Sequence, residues 1–550
     1  MSRAIRRLTA SAVAVVCLSF TGLSAATPPV VNAPAGTLEG AGEDAVNVFK
    51  GIPYALPPVG PLRWKAPVEM PRWTGVKRAT DFGNACMQPH SKAAVSIYSA
   101  DVGPLSEDCL TLNVWAPADA KNAPVLFWIH GGSLTGGSSQ YPLFMGSKLA
   151  ARGVVVVTIN YRLGVFGWLA HPGLSAESPL NISGNYGLLD QIEALKWVKR
   201  NIAAFGGDPA NVTIIGESAG GLSVMYLMAS PAARGLFAKA ISQSGYMIST
   251  PELKQAKYGA PSSEQIGVNL TTALHVPDMA ALRTMDADKL LEGSVAAGFL
   301  TIGAVDGHIL PRQLVDTFAK GEQAPVPLLA GFNSGEVRSL PVLLPPPPPP
   351  SAADYEAIIR DRYQDLAEDF LRLYPSSNVR ESMLATTRDA FYGWTAERMV
   401  RNQTALGQPA FLYIWDHGYP AADAAGLHAF HSSEVPYVFG DLQRVPMYWP
   451  KIPPTTKERE MSDAMMGYWI SFARTGQPEA ANAPAWPSYG SASAFMAFQE
   501  VPRVSAHLMR GMYDLVEQVV CRRHASGDQA WSWNVGIVAP KLPPKTAACN

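Results

Sequence analysis

The chain has almost no net charge, few cysteines and no internal repeat. Lys and Arg number 44 against 45 Asp and Glu, a balance of −1, and only 16% of residues are charged. Nucleic acid or an anionic membrane surface would need a basic excess that is missing. Past the first 26 residues, no apolar run approaches the roughly 20 residues of a membrane-spanning helix. No integral membrane segment and no nucleic-acid partner are therefore expected. The oligomeric state is not legible.

The one pronounced apolar run is at the start. Arg3, Arg6 and Arg7 precede the stretch from Leu8 to Leu23, and the small residues Ser24, Ala25 and Ala26 follow. This is the pattern of a cleavable signal peptide over residues 1–26, which predicts a secreted or periplasmic protein. Its removal takes away Cys17 and leaves Cys86, Cys109, Cys521 and Cys549. An even count in an exported chain favours two disulfides. Sequential pairing is the simplest of three connectivities, with a reduced pair in the C-terminal tail as the alternative.

What is abundant is hydrophobic residue (47%), proline (46) and glycine (47), as in a folded protein with many loops. Three runs read as strands: Thr111–Trp115, Pro124–Ile129 and the near-continuous apolar Val154–Asn160, which suits burial on both faces. Leu189, Ile192, Leu195, Val198 and Ile202 then repeat at helical spacing, predicting a helix from about Leu188 to Phe205 that Gly206-Gly207-Asp208-Pro209 stops. Val212–Ile215 is a strand again, followed by helix over Gly221–Ala229. Val326–Ala330 and Phe411–Trp415 extend the series. Strands alternating with helices imply an α/β fold with a mostly parallel sheet covered on both faces. Pro345–Pro350 reads as an extended surface connector and about 351–408 as a helical insertion. Residues 27–550 are taken as one catalytic domain.

The sharpest motif is Gly216-Glu217-Ser218-Ala219-Gly220, lying between a strand and a helix. In that context G-x-S-x-G is a tight turn that lifts a serine hydroxyl out of the sheet. A hydroxyl needs an adjacent base to attack at neutral pH, and donors aimed at the developing oxyanion. His130-Gly131-Gly132-Ser133, directly after a strand, offers backbone N–H groups for the second task.

Several further segments now match one family in order: Ser106-Glu107-Asp108-Cys109-Leu110, Asn185 to Gln191, Phe205 to Pro209, Gly216 to Gly220, and Gln243-Ser244-Gly245. Together they resemble the type-B carboxylesterases, α/β-hydrolases that include cholinesterases, over about residues 30–500. The resemblance implies a serine esterase with Ser218 as nucleophile. It places the acid at Glu336, in Gly331-Phe332-Asn333-Ser334-Gly335-Glu336, and the base at His431, in a pattern running through Glu434 to Gly440. It implies oxyanion donors at Gly132, Ser133 and Ala219, Ser244 behind the triad, and a first disulfide between Cys86 and Cys109. The Cys521–Cys549 bridge rests on cysteine arithmetic alone.

His428 is the rival base, and Asp306 and Asp416 are rival carboxylates. His428 with His431 lacks a third ligand, so no metal and no organic cofactor are expected; the only expected partner is a small-molecule ester. Two departures from the family pattern stand beside Ser133, which replaces a usual glycine. Val337 follows Glu336 where glycine is usual. The Cys86–Cys109 loop has no tryptophan to hold a quaternary ammonium, which argues against choline esters. The alternatives are a catalytically inactive adhesion-type relative, or hydrolysis of amides, carbamates or thioesters.

Overall fold

The structure, a computed structural model, describes residues 27–89 and 96–549; the expected signal peptide lies outside them. Its frame is an 11-stranded mixed sheet. In chain order the strands are β1 (Ala41–Glu43), β2 (Val46–Pro53), β3 (Thr111–Pro117), β4 (Ala123–Ile129), β5 (Val155–Ile159) and β6 (Gly207–Glu217). They continue with β7 (Lys239–Gln243), β8 (Leu328–Asn333), β9 (Ala410–Trp415), β10 (Ala494–Phe498) and β11 (Pro502–Ala506). Across the sheet the order is β11-β10-β9-β8-β7-β6-β4-β5-β3-β2-β1. Neighbours from β10 to β5 are parallel, and antiparallel strands flank them on both sides. This is the α/β-hydrolase fold.

Strand side chains point alternately to two cores. On β4, Val125, Phe127 and Ile129 enter one apolar cluster, while Leu126 and Trp128 enter the other. The first cluster also takes in α1 (Tyr186–Asn201) and α2 (Ala219–Ala229). The second receives Met465, Tyr468, Trp469 and Phe472 from the helix Thr456–Thr475. β4 is thus covered on both faces, which is why its sequence is apolar throughout.

Two motif carboxylates turn out to be structural. Asp190 on α1 is fully buried and takes a bidentate pair from Arg162, Nε at 2.8 Å and Nη2 at 2.7 Å, plus the Arg162 N–H at 3.0 Å. That geometry satisfies a buried charge with charge-assisted hydrogen bonds. Glu107, two residues before Cys109, grips Arg63 in the same forked way, with Nε at 2.7 Å. Both disulfides are formed in sequential order, Cys86–Cys109 and Cys521–Cys549. Two bridges fit an oxidising, extracytoplasmic compartment. No helix among the described residues is long and apolar enough to cross a membrane.

Element boundaries depart from expectation where backbone geometry outweighs composition. The helix begins two residues early at Tyr186 and ends at Asn201, with a 3-10 turn over Ile202–Phe205 and a left-handed Gly206 (φ 80) closing it. Gly207 then pairs with Ala123, so β6 starts at Gly207 and resumes regular pairing at Val212 after a register shift. The stretch 352–405 holds helices at Ala352–Tyr363, Ala367–Leu373, Val379–Arg388 and Trp394–Ala405. A π-helical turn, Asp389–Gly393, joins the last two.

Candidate active site

The chain order of the sheet creates the crevice. From β4 the chain crosses to β5 on one side, whereas β6 returns on the other. At such a switch point the loops beyond the carboxyl ends of adjacent strands part and leave room for a ligand. The turn after β4 and the turn after β6 face each other there.

Ser218 caps the start of α2 with φ 59 and ψ −123, a conformation that costs an L-residue about 1–3 kcal/mol. The flanking glycines make that turn possible by close approach. A Cβ on Gly220 would lie 2.1 Å from the Ile129 carbonyl oxygen of β4, and one on Gly216 would lie 2.5 Å from the Gly220 backbone. Ser218 is 9% exposed, with its N–H bonded to Gln243 O at 2.9 Å.

Opposite it, Gly132 (φ 105) and Ser133 (φ 54) turn the chain after β4. Among the described residues, nothing accepts their N–H groups. Ala219, the first residue of α2, has no intrahelical acceptor for its own N–H. Gly131, Gly132, Ser133, Ser218, Glu217 and His431 line one cavity of about 1000 Å3. His130 is not part of this chemistry. Burial pushes its imidazole down to about 4, and its ring stacks on Tyr161 at 4.5 Å.

Glu336 and His431 come from the loops after β8 and β9. Glu336 is fully buried; its Oε1 accepts the Asn333 N–H at 2.8 Å, and its Oε2 contacts His431 Nδ1. Gly335 lets the turn that carries Glu336 press against the loop before His431. A Cβ there would meet the Leu427 and Ala429 carbonyls at 2.6 and 2.8 Å. On the ring's other side, Nε2 lies 3.1 Å from Glu217 Oε1, and no hydrogen bond joins it to Ser218 Oγ in this structure. The Tyr392 ring, carried by the π-helical turn, packs 5.6 Å from the His431 ring.

A buried carboxylate cluster surrounds this histidine. Glu217 also accepts the Ser432 hydroxyl at 2.7 Å. Glu434 accepts Gln243 Nε2 at 2.8 Å and Asn333 Nδ2 at 2.6 Å. Burial, then the nearby Glu217, pushes the Glu434 carboxyl up to about 8. Burial also raises Glu217, against the pull of His431. Burial alone would lower His431, but Glu217, Glu336 and Glu434 outweigh it and lift the imidazole to about 9.

The rival residues lie elsewhere. His428 is a partly exposed loop residue, bonded to Asp423 at 2.8 Å and Asp416 at 3.3 Å, outside the cavity lining. Asp306 accepts Asn185 and three backbone N–H groups. The Ser244 hydroxyl is buried and bonds to none of the described residues. Among those residues no group of three His, Cys, Asp or Glu is arranged to hold a metal. Glu217, Gln243, Asn333 and Glu434 lie inside the sequence motifs, but only the fold joins them in one network; Ser432, Tyr392 and Tyr98 carry no role in the sequence expectations.

A strained serine elbow facing unpaired backbone donors, on this sheet, defines a serine hydrolase of the α/β-hydrolase class. Residues 27–515 match the profile of the Carboxylesterase family, and the chain belongs to that family. It is 38% identical to the para-nitrobenzyl esterase of Bacillus subtilis (strain 168), over 84% of this chain and 93% of that one. It is 35% identical to the fumonisin B1 esterase of Sphingopyxis macrogoltabida, over 84% and 85%. Among solved structures it is similar to a PNB esterase (TM-score 0.77, 33% identity, 89% and 99% covered). A thermophilic PNB esterase is comparably similar (TM-score 0.76, 34% identity, 89% and 100% covered). The protein is a carboxylic ester hydrolase of the type-B carboxylesterase kind, acting on small-molecule esters.

Proposed function

We propose that Ser218, His431 and Glu336 carry the ester hydrolysis as a nucleophile–base–acid triad within a single catalytic domain, residues 27–550. The observation that carries this reading is the convergence of the three loops: the elbow serine and His431 open on one cavity, and Glu336 touches the far nitrogen of that histidine. Ser218 Oγ attacks the ester carbonyl while its proton passes to His431 Nε2. The oxyanion is held by the N–H groups of Gly132, Ser133 and Ala219. The tetrahedral intermediate collapses, His431 returns the proton to the departing alkoxide, and an acyl-serine remains. Water, deprotonated by the same imidazole, then releases the acid and restores Ser218. Glu336 fixes the ring so that Nδ1 carries the proton, leaving Nε2 as acceptor. Ser244 lies behind this assembly, its N–H bonded to Gly331 O of β8 at 2.8 Å. The final compartment is extracellular or periplasmic, following removal of residues 1–26.

The contact between Nε2 and Glu217 gives the triad a pH dependence. A protonated ring donates to Glu217 and cannot accept the serine proton. On deprotonation Nε2 becomes an acceptor, for which the Ser218 hydroxyl is the donor at hand. Activity is therefore lost as pH falls through the histidine's pKa, and the carboxylates lift that pKa from 6.5 toward about 9. The acidic limb of kcat/KM is expected on the alkaline side of 6.5. Glu217→Gln, which removes the foremost raising charge, is expected to move it to lower pH. A wild-type limb at or below 6.5, or one unmoved in the variant, would contradict this account.

Cavity chemistry points to uncharged esters with an aromatic or apolar group. Tyr141, Phe144, Leu340, Met447 and Tyr448 line the cavity with Glu217 and Asp101, and no Lys or Arg lines it among the described residues. The para-nitrobenzyl esterases among its relatives support the same substrate class. Carboxylates in a partly dehydrated cleft repel like charge. para-Nitrophenyl butyrate is expected to exceed para-nitrophenyl hemisuccinate by at least about tenfold in kcat/KM, since like-charge contact costs 1.4 kcal/mol or more. Equal or reversed preference would sink the reading of the cavity.

A further inference from the structure

Among its described residues, the loop closed by Cys86–Cys109 reaches the main chain of His431 through the Tyr98 hydroxyl. Tyr98 Oη lies 2.9 Å from the main-chain oxygen of His431 and 2.7 Å from Ser339 Oγ. Ser339 is the last residue of the 3-10 turn Glu336–Ser339, the turn that begins with Glu336. A tyrosine hydroxyl has one proton. The His431 carbonyl can only accept, so Tyr98 donates to it, and the Ser339 hydroxyl donates back to Tyr98 Oη. Burial raises the Tyr98 hydroxyl well above its ordinary 10, so the donor persists at every pH at which the esterase works.

Tyr98 is itself held from three sides. Its main-chain oxygen accepts the Tyr141 hydroxyl at 2.6 Å. Its ring meets Trp449 edge-on at 5.8 Å, and Trp449 packs against Phe430, the neighbour of His431, at 4.8 Å. The disulfide pins the loop at both ends. The loop also grips the oxyanion turn: Gln88 and Gly137 exchange two hydrogen bonds of 2.9 Å each.

We propose that Tyr98 is a positioning residue for the esterase reaction, its hydroxyl tying the main chain of the base to the turn that carries the acid. The proposal rests on the assignment of His431 and Glu336 given above. The Gly335 N–H to Ala429 O bond and the Asn333 Nδ2 to Phe430 O bond, each 2.8 Å, join the two segments ahead of the acid and the base. The Tyr98 tie instead joins them at His431 itself and on the far side of Glu336. A small displacement there costs rate steeply, because the barrier depends on alignment rather than on affinity. The same tie makes the disulfide loop a support of the triad as well as a wall of the cavity.

The test is Tyr98→Phe, which removes the hydroxyl and keeps the ring, read by steady-state kinetics on para-nitrophenyl acetate across pH. kcat is expected to fall about tenfold, with KM held within about twofold, as for a group that acts on the transition state rather than on binding. As the hold of Glu336 on the ring slackens, the acidic limb should move to lower pH. Ser339→Ala keeps the bond to His431 and is expected to lower kcat about threefold. Wild-type kcat in Tyr98→Phe, a loss confined to KM, or a fall in kcat with an unmoved limb would each overturn the proposal. Should Tyr98→Phe not be recovered folded, Ser339→Ala decides: wild-type kcat and limb overturn it. Failure of the triad reading is separable, since it would show as retained activity in Ser218→Ala or His431→Ala, whatever Tyr98→Phe does.

Discussion

Ser218→Ala is expected to lower kcat for para-nitrophenyl esters by at least about 10^4-fold while the fold and both disulfides persist. The size follows from what the residue supplies. Loss of the attacking oxygen removes the acyl-enzyme route entirely, and the oxyanion donors and cavity that remain yield only the residual catalysis of a bound ester meeting water. Folding should survive because the strain at φ 59 is relieved no less easily by alanine, and the Ser218 N–H to Gln243 bond belongs to the backbone. Steady-state kinetics and circular dichroism on the same preparation would check both halves. Substantial turnover in a folded variant would remove Ser218 from its role.

His431→Ala is expected to match that loss within about tenfold, and Glu336→Gln to cost about 10^4-fold. The two differ in kind. Without the imidazole no other histidine among the described residues lines the cavity to take the serine proton, since His428 is bonded to Asp416 and Asp423 outside the cavity lining. Without the Glu336 charge the imidazole remains but loses its orienting acceptor, and its charged form is less stabilised. Glu336→Gln should therefore also lower the pH of the acidic limb, because Glu336 is one of the charges that raise His431. A variant His431→Ala with more than about 1% of wild-type kcat would point to another base.

How much of this was legible in the sequence varies with the range of the interactions involved. The elbow was legible because its glycines answer to contacts a few residues away or across one strand pair, such as Gly220 against Ile129 O. Strands β4 and β5 were legible because burial on both faces leaves an unbroken apolar run. The start of β6 was not: Gly207-Asp208-Pro209 has the composition of a stop, yet the chain pairs through it by slipping register. β10 and β11 went unread. The latter is an edge strand whose residues are partly or wholly exposed, so it carries little apolar signal.

At the site, the proposed acid Glu336 and base His431 are legible in family motifs, whereas the network behind them is visible only in the fold. Gln243 and Glu434 are 191 residues apart, and no local rule joins an amide at the end of one strand to a carboxylate after another. Tyr98 is further still, 333 residues from the carbonyl it holds. The missing tryptophan in its loop was visible, but not what the loop's tyrosine does instead.

The central claim is that a covalent acyl-serine forms at Ser218. Incubating the wild-type protein with a para-nitrophenyl dialkyl phosphate and mapping the adduct by peptide mass spectrometry tests it most directly, with Ser218→Ala alongside. One dialkylphosphoryl group per chain on the peptide containing Ser218, with loss of esterase activity and no adduct in the variant, is the result predicted. An adduct on another residue that abolishes activity, or full inhibition with Ser218 unmodified, would contradict it.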